Sequence, residues 1–250
     1  RFTAAARGDN QTFAPISPRQ VVPTLASLAA NAVMAGCKPE YFPVVLAALR
    51  GVLSPEYNLH GTLATTHPCA PMIMVNGPLR QALEINCGSN CFGQGWRANA
   101  TIGRAIRLAL INVGGALPGV TDRATAGQPA KYSLAFAENE RDSPWESLSA
   151  ARGVAHDGAV VAFGAVSLFS HLDSVSSDAD SFLTNLAQTM TARGSNVLQG
   201  GGEMLILLCP EHARLLHGVG MSRRQVQLEL FERARARLDT FPDSLLAALR

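Results

Sequence analysis

Apolar residues recur at intervals of three and four positions in two segments near the start of the chain. They are Leu25, Leu28 and Ala32 in the first segment, and Val45, Leu49 and Val52 in the second. Residues at this spacing share one face of a helix, so the pattern predicts two short helices. Gly36 lies between them and ends the first, because glycine suits a helix C-terminus. An extended N-terminal arm, 1–20, precedes both helices.

Short continuous apolar runs predict buried strands in the remainder of the chain. They are Met72–Val75, Tyr132–Ala137, Ala159–Phe169 and Met204–Leu208, with one more strand predicted at Leu59 by alternating Thr and Ala. Predicted helices lie between them: an apolar helix capped by Asn99 or Thr101, one that begins at Pro210, and one with a Ser222/Gln225 capping box. This alternation predicts an α/β fold with a mixed sheet and packed helices.

The α/β region, 21–250, is predicted to be a single catalytic domain. Gly-Ser-Asn occurs twice in glycine-rich segments, at Gly88–Asn90 and Gly194–Asn196. The repeat favours an alternative in which the domain consists of two similar halves, 21–130 and 131–250.

The composition and charge of the chain limit the partners and the location that we expect for it. Apolar residues make up 47% of the 250 residues, charged residues make up 16%, and the net charge is +2. Without a run of Lys or Arg we expect no nucleic-acid partner, and without an apolar run of about 20 residues we expect no membrane partner. Five cysteines without a secreted disulfide pattern favour free thiols and a cytoplasmic location.

The segment from Ile85 to Val113 carries the main candidate chemistry. Cys87 and Cys91 flank Gly88-Ser89-Asn90 in a glycine-rich loop before the apolar helix. A thiolate is a strong nucleophile, and amides at a helix start lower the pKa of a thiol. Cys91 lies nearer the helix and is the candidate nucleophile or redox thiol. Ser89, Asn90 and Asn99 are candidate substrate donors, and Arg97 is the candidate anion-binding residue.

Polar residues beside the predicted strands extend this site. His60 and His67 are candidate proton carriers, because imidazole titrates near neutral pH. Glu138 follows a strand and is the fourth candidate catalytic residue. Asn76, Trp145 and His212 are candidate substrate-binding residues.

A metal centre is an alternative to thiol chemistry. Potential zinc ligands are His60, His67, Cys69, Cys87 and Cys91, but no pair has a strong zinc spacing, so no metal ligand is assigned. Gly93-Gln94-Gly95 is neither a P-loop nor a dinucleotide fingerprint. No flavin or haem pattern occurs, and the cofactor is unknown.

Several motifs point to a known group of proteins. They are Asn58-Leu59-His60-Gly61, Asn76-Gly77-Pro78, Gly88-Ser89-Asn90, Arg97-Ala98-Asn99, Ala137-Glu138-Asn139, Ser143-Pro144-Trp145-Glu146 and Pro210-Glu211-His212. From about Val21 onwards the chain resembles a family of uncharacterised bacterial proteins associated with UGSC-type cysteine/selenocysteine proteins. The resemblance implies an ordered polar site and a thiol or selenol redox partner. Cys87 and Cys69 depart from that family, which has Ser and an aliphatic residue at these positions.

The sequence therefore predicts a thiol-based enzyme that transforms a small polar or anionic substrate in specialised metabolism. A cysteine-dependent lyase, hydrolase or oxidoreductase fits this prediction, in a homo- or hetero-oligomer. One alternative is a metal-dependent hydrolase or lyase with His and Cys ligands. Another is a non-catalytic subunit that completes the site of a thiol or selenol redox partner.

Overall fold

A computed structural model describes residues 1–6, 12–154, 158–165, 178–192 and 204–248. The chain forms two compact units, one of Arg1–Glu140 with Ser147–Ser167 and one of Arg141–Glu146 with Leu168–Arg250. The predicted α/β class, with a mixed sheet and packed helices, is confirmed. The second Gly-Ser-Asn segment, on which the two-halves alternative rests, lies outside the described residues.

The first unit contains the sheet and most of the helices. Its strands are β1 (Ala70–Asn76), β2 (Ala135–Ala137) and β3 (Ala159–Ala165), and its helices are α1 (Phe2–Ala5), α2 (Leu25–Ala35), α3 (Phe42–Val52), α4 (Leu59–Ala64), α5 (Leu79–Ala82), α6 (Arg97–Asn112) and α7 (Leu148–Ala151). Short 3-10 turns lie at Pro39–Tyr41, Pro55–Tyr57 and Pro129–Lys131.

Strand β1 is the centre of the three-stranded sheet. It pairs in parallel with β2, where Ile73 lies opposite Ala135, and antiparallel with β3, where Met72 lies opposite Phe163. Every residue of β1 is buried, as its continuous apolar run predicts for a central strand.

The two faces of β1 contact different parts of the core, because successive side chains of a strand point to opposite faces. Ile73 and Val75 belong to a cluster with apolar residues of α3 and α6, whereas Met72 and Met74 pack with Phe136. Helix α6 packs against α2, and Ile102, Ile106 and Leu110 on α6 are fully buried.

The second unit is helical in the residues that the structure describes. Its elements are α8 (Ala179–Met190), α9 (Pro210–Gly218), α10 (Arg223–Arg233), a 3-10 turn at Leu238–Thr240 and α11 (Asp243–Ala248). Phe182, Leu183 and Leu216 are buried in a common cluster. The predicted capping box is confirmed, since Ser222 and Gln225 exchange side-chain to backbone hydrogen bonds at the start of α10.

Two predicted strands and one predicted helix cap are wrong. The segment after Leu59 is helix α4, because the Asn58 side chain accepts a hydrogen bond from the Gly61 amide and starts a helical turn. Residues 204–208 form no strand, and Ile206 and Leu208 instead pack partly buried against the helical cluster. Helix α6 begins at Arg97, so neither Asn99 nor Thr101 is its cap. Residues 166–169 of the predicted long strand lie outside the described residues.

Among the described residues, no helix combines the length and the apolar character needed to cross a membrane.

Candidate functional site

The loop between α5 and α6 is held in place by two asparagines. The Asn86 amide donates to Asn99 Oδ1 at 2.8 Å, and Asn99 Nδ2 donates back to the Asn86 carbonyl at 3.0 Å. The same carbonyl accepts the Ala137 amide of β2 at 3.2 Å. The first turn of α6 and the end of β2 therefore both anchor the loop.

Cys91 lines a cleft at the start of α6. Asn99 Nδ2 also donates to the Cys91 carbonyl at 3.1 Å, which fixes the backbone that carries the thiol. The cleft has a volume of about 180 Å³ and is lined by Cys91, Phe92, Gly93, Asn99, Ala100, Ser133, Leu134 and Ala135. Among the described residues no side chain caps the N-terminus of α6, whose first turn has no acidic residue. The helix dipole therefore makes this end of the cleft favourable for an anion.

The Cys91 thiol is half-buried and is protonated at neutral pH. Burial raises its pKa above the ordinary value, and the neighbouring Cys87 raises the pKa further. Hydrogen bonds from the backbone amides of Cys91 and Phe92 lower the pKa and so offset part of this increase. The described cysteines, Cys87 and Cys91 among them, are free thiols.

The other candidate residues of this segment hold backbone groups. Asn90 adopts a left-handed conformation with φ 59°, and its amide donates to the Gln94 carbonyl at 2.8 Å. The Ser89 carbonyl accepts Asn86 Nδ2 at 2.8 Å. Arg97 Nε donates to the Gly36 carbonyl at 2.9 Å, so the Arg97 guanidinium lies at the C-terminal end of α2. There it satisfies a carbonyl that has no partner within the helix.

A polar cluster lies where β1 and β2 end. The fully buried Asn76 donates through Nδ2 to Glu138 and, at 3.4 Å, to Glu140. Glu138 also accepts the Leu148 amide at 2.9 Å. Glu140 accepts the Gly77 amide at 2.6 Å and lies 3.5 Å from Arg80 Nε. Within the described chain, Asn76 Oδ1 is buried without a hydrogen-bond partner.

The structure thus brings two predicted residues, Asn76 and Glu138, into direct contact. It adds Glu140 and Arg80, which the sequence analysis missed. Glu140 stands two positions after Glu138 at the end of a predicted strand. This spacing is the sequence pattern that could have identified Glu140. The backbone of Ala137, which precedes Glu138, connects the cluster to the cysteine loop.

His60 and His67 lie near the opposite end of β1. His60 Nδ1 is 2.8 Å from Ser17 Oγ, and the exposed His67 comes three residues before β1. The seven residues of β1 span about 20 Å, at roughly 3.3 Å a residue, and His67 precedes this strand whereas Asn76 ends it. The structure therefore does not bring these imidazoles to the polar cluster at Asn76.

Trp145 and His212 belong to the second unit. Trp145 Nε1 donates to the Met221 carbonyl at 2.9 Å, and the His212 ring stacks on Phe182 with centroids 4.2 Å apart. His212 Nδ1 also lies 3.1 Å from the sulfur of Cys209, the N-cap residue of α9. Cys209 is not among the predicted site residues, although Cys-Pro-Glu-His places a thiol and an imidazole three residues apart across a helix start.

Metal ligands do not cluster in the part of the chain that the structure describes, where no three His, Cys, Asp or Glu residues could share an ion. The chain matches no protein-family model, no curated protein and no solved structure.

Proposed function

We propose that this chain is a thiol-dependent enzyme that transforms a small polar or anionic molecule in the Cys91 cleft. One observation carries the proposal: Cys91 lines a cleft of about 180 Å³ at the N-terminal end of α6. Ligand pockets for drug-sized molecules have volumes of about 300–1,000 Å³, so this cleft fits a smaller substrate.

The start of α6 provides the binding half of the proposed site. Its amide groups and dipole favour a carboxylate or a polarised carbonyl oxygen. The Ser133 hydroxyl on the cleft wall donates a hydrogen bond to the Ala100 carbonyl at 2.8 Å, which connects this wall to the helix. A substrate held here places its electrophilic carbon beside the thiol of Cys91, which supplies the nucleophile.

Proton transfer sets the pH dependence of the proposed reaction. Burial holds Cys91 protonated near neutral pH, because it raises the pKa of the thiol. The fraction of thiolate therefore increases from pH 7 to pH 9, and turnover is expected to increase with it.

The polar cluster of Asn76, Glu138 and Glu140 has a positioning role in this proposal. It ties the ends of β1 and β2 to each other and to the Leu148 amide. Because the Ala137 amide bonds to the cysteine loop, an ordered end of β2 also orders the cleft.

An untargeted turnover assay tests the proposal. The purified protein is incubated with a polar cell extract, and metabolites that are consumed or formed are identified by mass spectrometry. Wild type and Cys87→Ser are expected to give the same changes, whereas Cys91→Ser is expected to lose them. Turnover that persists in Cys91→Ser, or a wild type that changes no metabolite, contradicts the proposal.

The Cys209–His212 pair supports a second candidate function, a nucleophilic or redox thiol in the second unit. An imidazole 3.1 Å from an exposed sulfur can accept its proton, as in cysteine hydrolases. This candidate predicts that Cys209→Ser, and not Cys91→Ser, loses the metabolite changes in the same assay.

The two alternatives from the sequence also have direct tests. A metal-dependent hydrolase or lyase requires stoichiometric metal in chelator-free protein and loses its turnover with EDTA. A non-catalytic subunit shows no turnover alone and forms a hetero-oligomer with its thiol or selenol partner, which light scattering detects.

A further inference from the structure

Two buried charged side chains and a partly buried one lie together near the start of β1, and none of them lines the Cys91 cleft. They are Arg107 on α6, Asp122 on the following loop and Lys131 at the end of the 3-10 turn. Arg107 and Asp122 are 4% and 6% exposed. Lys131 Nζ lies 2.8 Å from each carboxylate oxygen of Asp122 and donates to the Cys69 carbonyl at 3.1 Å. Lys131 thus neutralises the carboxylate in this cluster.

Arg107 is left with unused donors. Its Nε donates to the Lys131 carbonyl at 2.9 Å, but Nη1 lies 3.6 Å from Asp122 Oδ2, which is too far for a hydrogen bond. Nη1 and Nη2 are both buried without a hydrogen-bond partner among the described residues. Nearly all buried polar groups in proteins have a partner, so this pair requires an explanation.

The Tyr57 hydroxyl is a third donor of this kind. Its oxygen is buried and, within the described residues, has no hydrogen-bond partner. Burial raises the pKa of Tyr57, while the positive charge of Arg107 acts in the opposite direction. The hydroxyl therefore stays protonated and has a hydrogen available for a hydrogen bond, in a region where Tyr57 interacts with the charge of Arg107.

The charges of the cluster do not balance. Arg107 and Lys131 carry two positive charges, and Asp122 carries one negative charge. Burial lowers the pKa of Arg107, the negative charge of Asp122 acts in the opposite direction, and the positive charge of Arg104 lowers the pKa further. Burying a net positive charge is costly, and a bound anion with one negative charge reduces that cost.

We propose that Arg107 and Tyr57 bind a small monoanion of carboxylate type. The two terminal nitrogens of a guanidinium form a planar fork that matches the two oxygens of a carboxylate, and the Tyr57 hydroxyl supplies a third hydrogen bond. Neither residue lines the Cys91 cleft, so this anion site is separate from the proposed thiol site. A substrate, product or regulatory carboxylate would all satisfy this chemistry.

Thermal unfolding in the presence of simple anions tests the proposal. Sodium formate, acetate, nitrate and chloride are each titrated into wild type, Arg107→Met, Tyr57→Phe and the control Arg123→Met. Arg123 is an exposed residue next to Asp122, so this control removes an equal charge without removing a buried donor. Differences between variants at the same salt concentration cancel the general effects of salt.

Formate and acetate are expected to raise the Tm of wild type and Arg123→Met to a plateau, because a ligand that binds only the folded state stabilises it. Arg107→Met is expected to show no plateau. Tyr57→Phe is expected to need about tenfold more acetate, as the loss of one hydrogen bond to a charged group predicts. Tyr57→Phe also tests the site if Arg107→Met does not fold.

Identical responses of wild type and Tyr57→Phe overturn the proposal, because the Tyr57 hydroxyl then forms no hydrogen bond to the anion. A plateau that chloride produces as readily as formate overturns the assignment to a carboxylate, since a spherical ion does not use the planar fork. A plateau with nitrate and the carboxylates, but not with chloride, supports it.

Discussion

The side-chain amide of Asn99 donates to the carbonyl of Cys91 at 3.1 Å and connects the first turn of α6 to the loop that carries the thiol. The same side chain pairs with the amide and the carbonyl of Asn86. One buried residue therefore satisfies three backbone groups of a loop that has little regular structure. This arrangement makes Asn99 a support for the geometry of the cleft.

Asn99→Ala is expected to lower the free energy of unfolding by about 2–4 kcal/mol, because it leaves buried backbone groups without partners. Chemical denaturation measures this change. Asn90→Gly is the matched control: it removes a loop asparagine whose amide bonds only locally, and glycine accepts its left-handed backbone. Equal losses in the two variants would show that Asn99 has no special role.

Gly103 allows α6 to approach the wall of the cleft. A Cβ at this position would lie 2.6 Å from Ser133 Oγ and 2.7 Å from the Leu134 amide nitrogen. Gly103→Ala is therefore expected to destabilise the protein by about 1–3 kcal/mol, despite the better helix propensity of alanine.

Gly218 provides the control for this substitution. It is also helical, and a Cβ there meets no atom of the described residues within 4 Å. Gly218→Ala is expected to be neutral or to raise the Tm slightly. A neutral Gly103→Ala would contradict the close packing of α6 against the residues before β2.

The periodicity of the sequence predicts much of this fold but less of its polar sites. Helix α6 and strand β1 follow from continuous or periodic apolar residues. Asn99 resembles a cap because asparagine often starts a helix, yet its side chain bonds to Asn86. A local pattern does not show which distant backbone group a side chain reaches.

The same limit explains the buried charges. Arg107 lies on the apolar face of a helix, and its partners Asp122 and Lys131 come 15 and 24 residues later in segments that read as loop. Only the tertiary fold brings them together. For the short helix α4, by contrast, a local pattern was present, because Asn58 is a residue that often begins a helix. The alternating Thr and Ala that follow led to the prediction of a strand instead.

Asn76→Asp tests the polar cluster at the ends of β1 and β2. The change places a third carboxylate beside Glu138 and Glu140, and repulsion raises the pKa of the new acid above its unfolded value of about 3.9. The folded state then binds more protons than the unfolded state, so the variant loses stability as pH rises through the folded pKa.

We expect the deficit of Asn76→Asp relative to wild type to be larger at pH 7.5 than at pH 5, as measured by urea unfolding. Gln81→Glu adds a carboxylate at an exposed position of the neighbouring helix α5 and is expected to show no such trend. A deficit that is the same at both pH values would mean that Asn76 does not face the two carboxylates.

Buried thiols predict a loss of stability in alkali. Burial raises the pKa of Cys37, Cys69 and Cys91, so the unfolded chain releases these protons first. The contribution of these thiols to the free energy of unfolding is therefore fully present below about pH 8.5. It is lost as pH rises through the pKa values that the thiols have in the folded state.

Cys37→Ala is expected to reduce the slope of this loss between pH 8.5 and pH 9.5, a range in which tyrosine and lysine contribute little. Urea unfolding at several pH values measures the slope. Cys209→Ala removes an exposed thiol and is expected to keep the wild-type slope. An unchanged slope in Cys37→Ala would contradict the burial of that thiol.

The proposal that Cys91 is a reactive thiol beside an anion-binding helix start has one direct test. Iodoacetate and iodoacetamide alkylate thiols in the same way but differ in charge, and peptide mass spectrometry gives the rate constant of each cysteine with each reagent at pH 8.5. Cys87, which is also half-buried in the loop, is the internal control. We predict that the ratio of the iodoacetate rate to the iodoacetamide rate is about two- to fivefold higher at Cys91 than at Cys87. An equal or lower ratio at Cys91, or no labelling of Cys91 by either reagent, would contradict the proposed function.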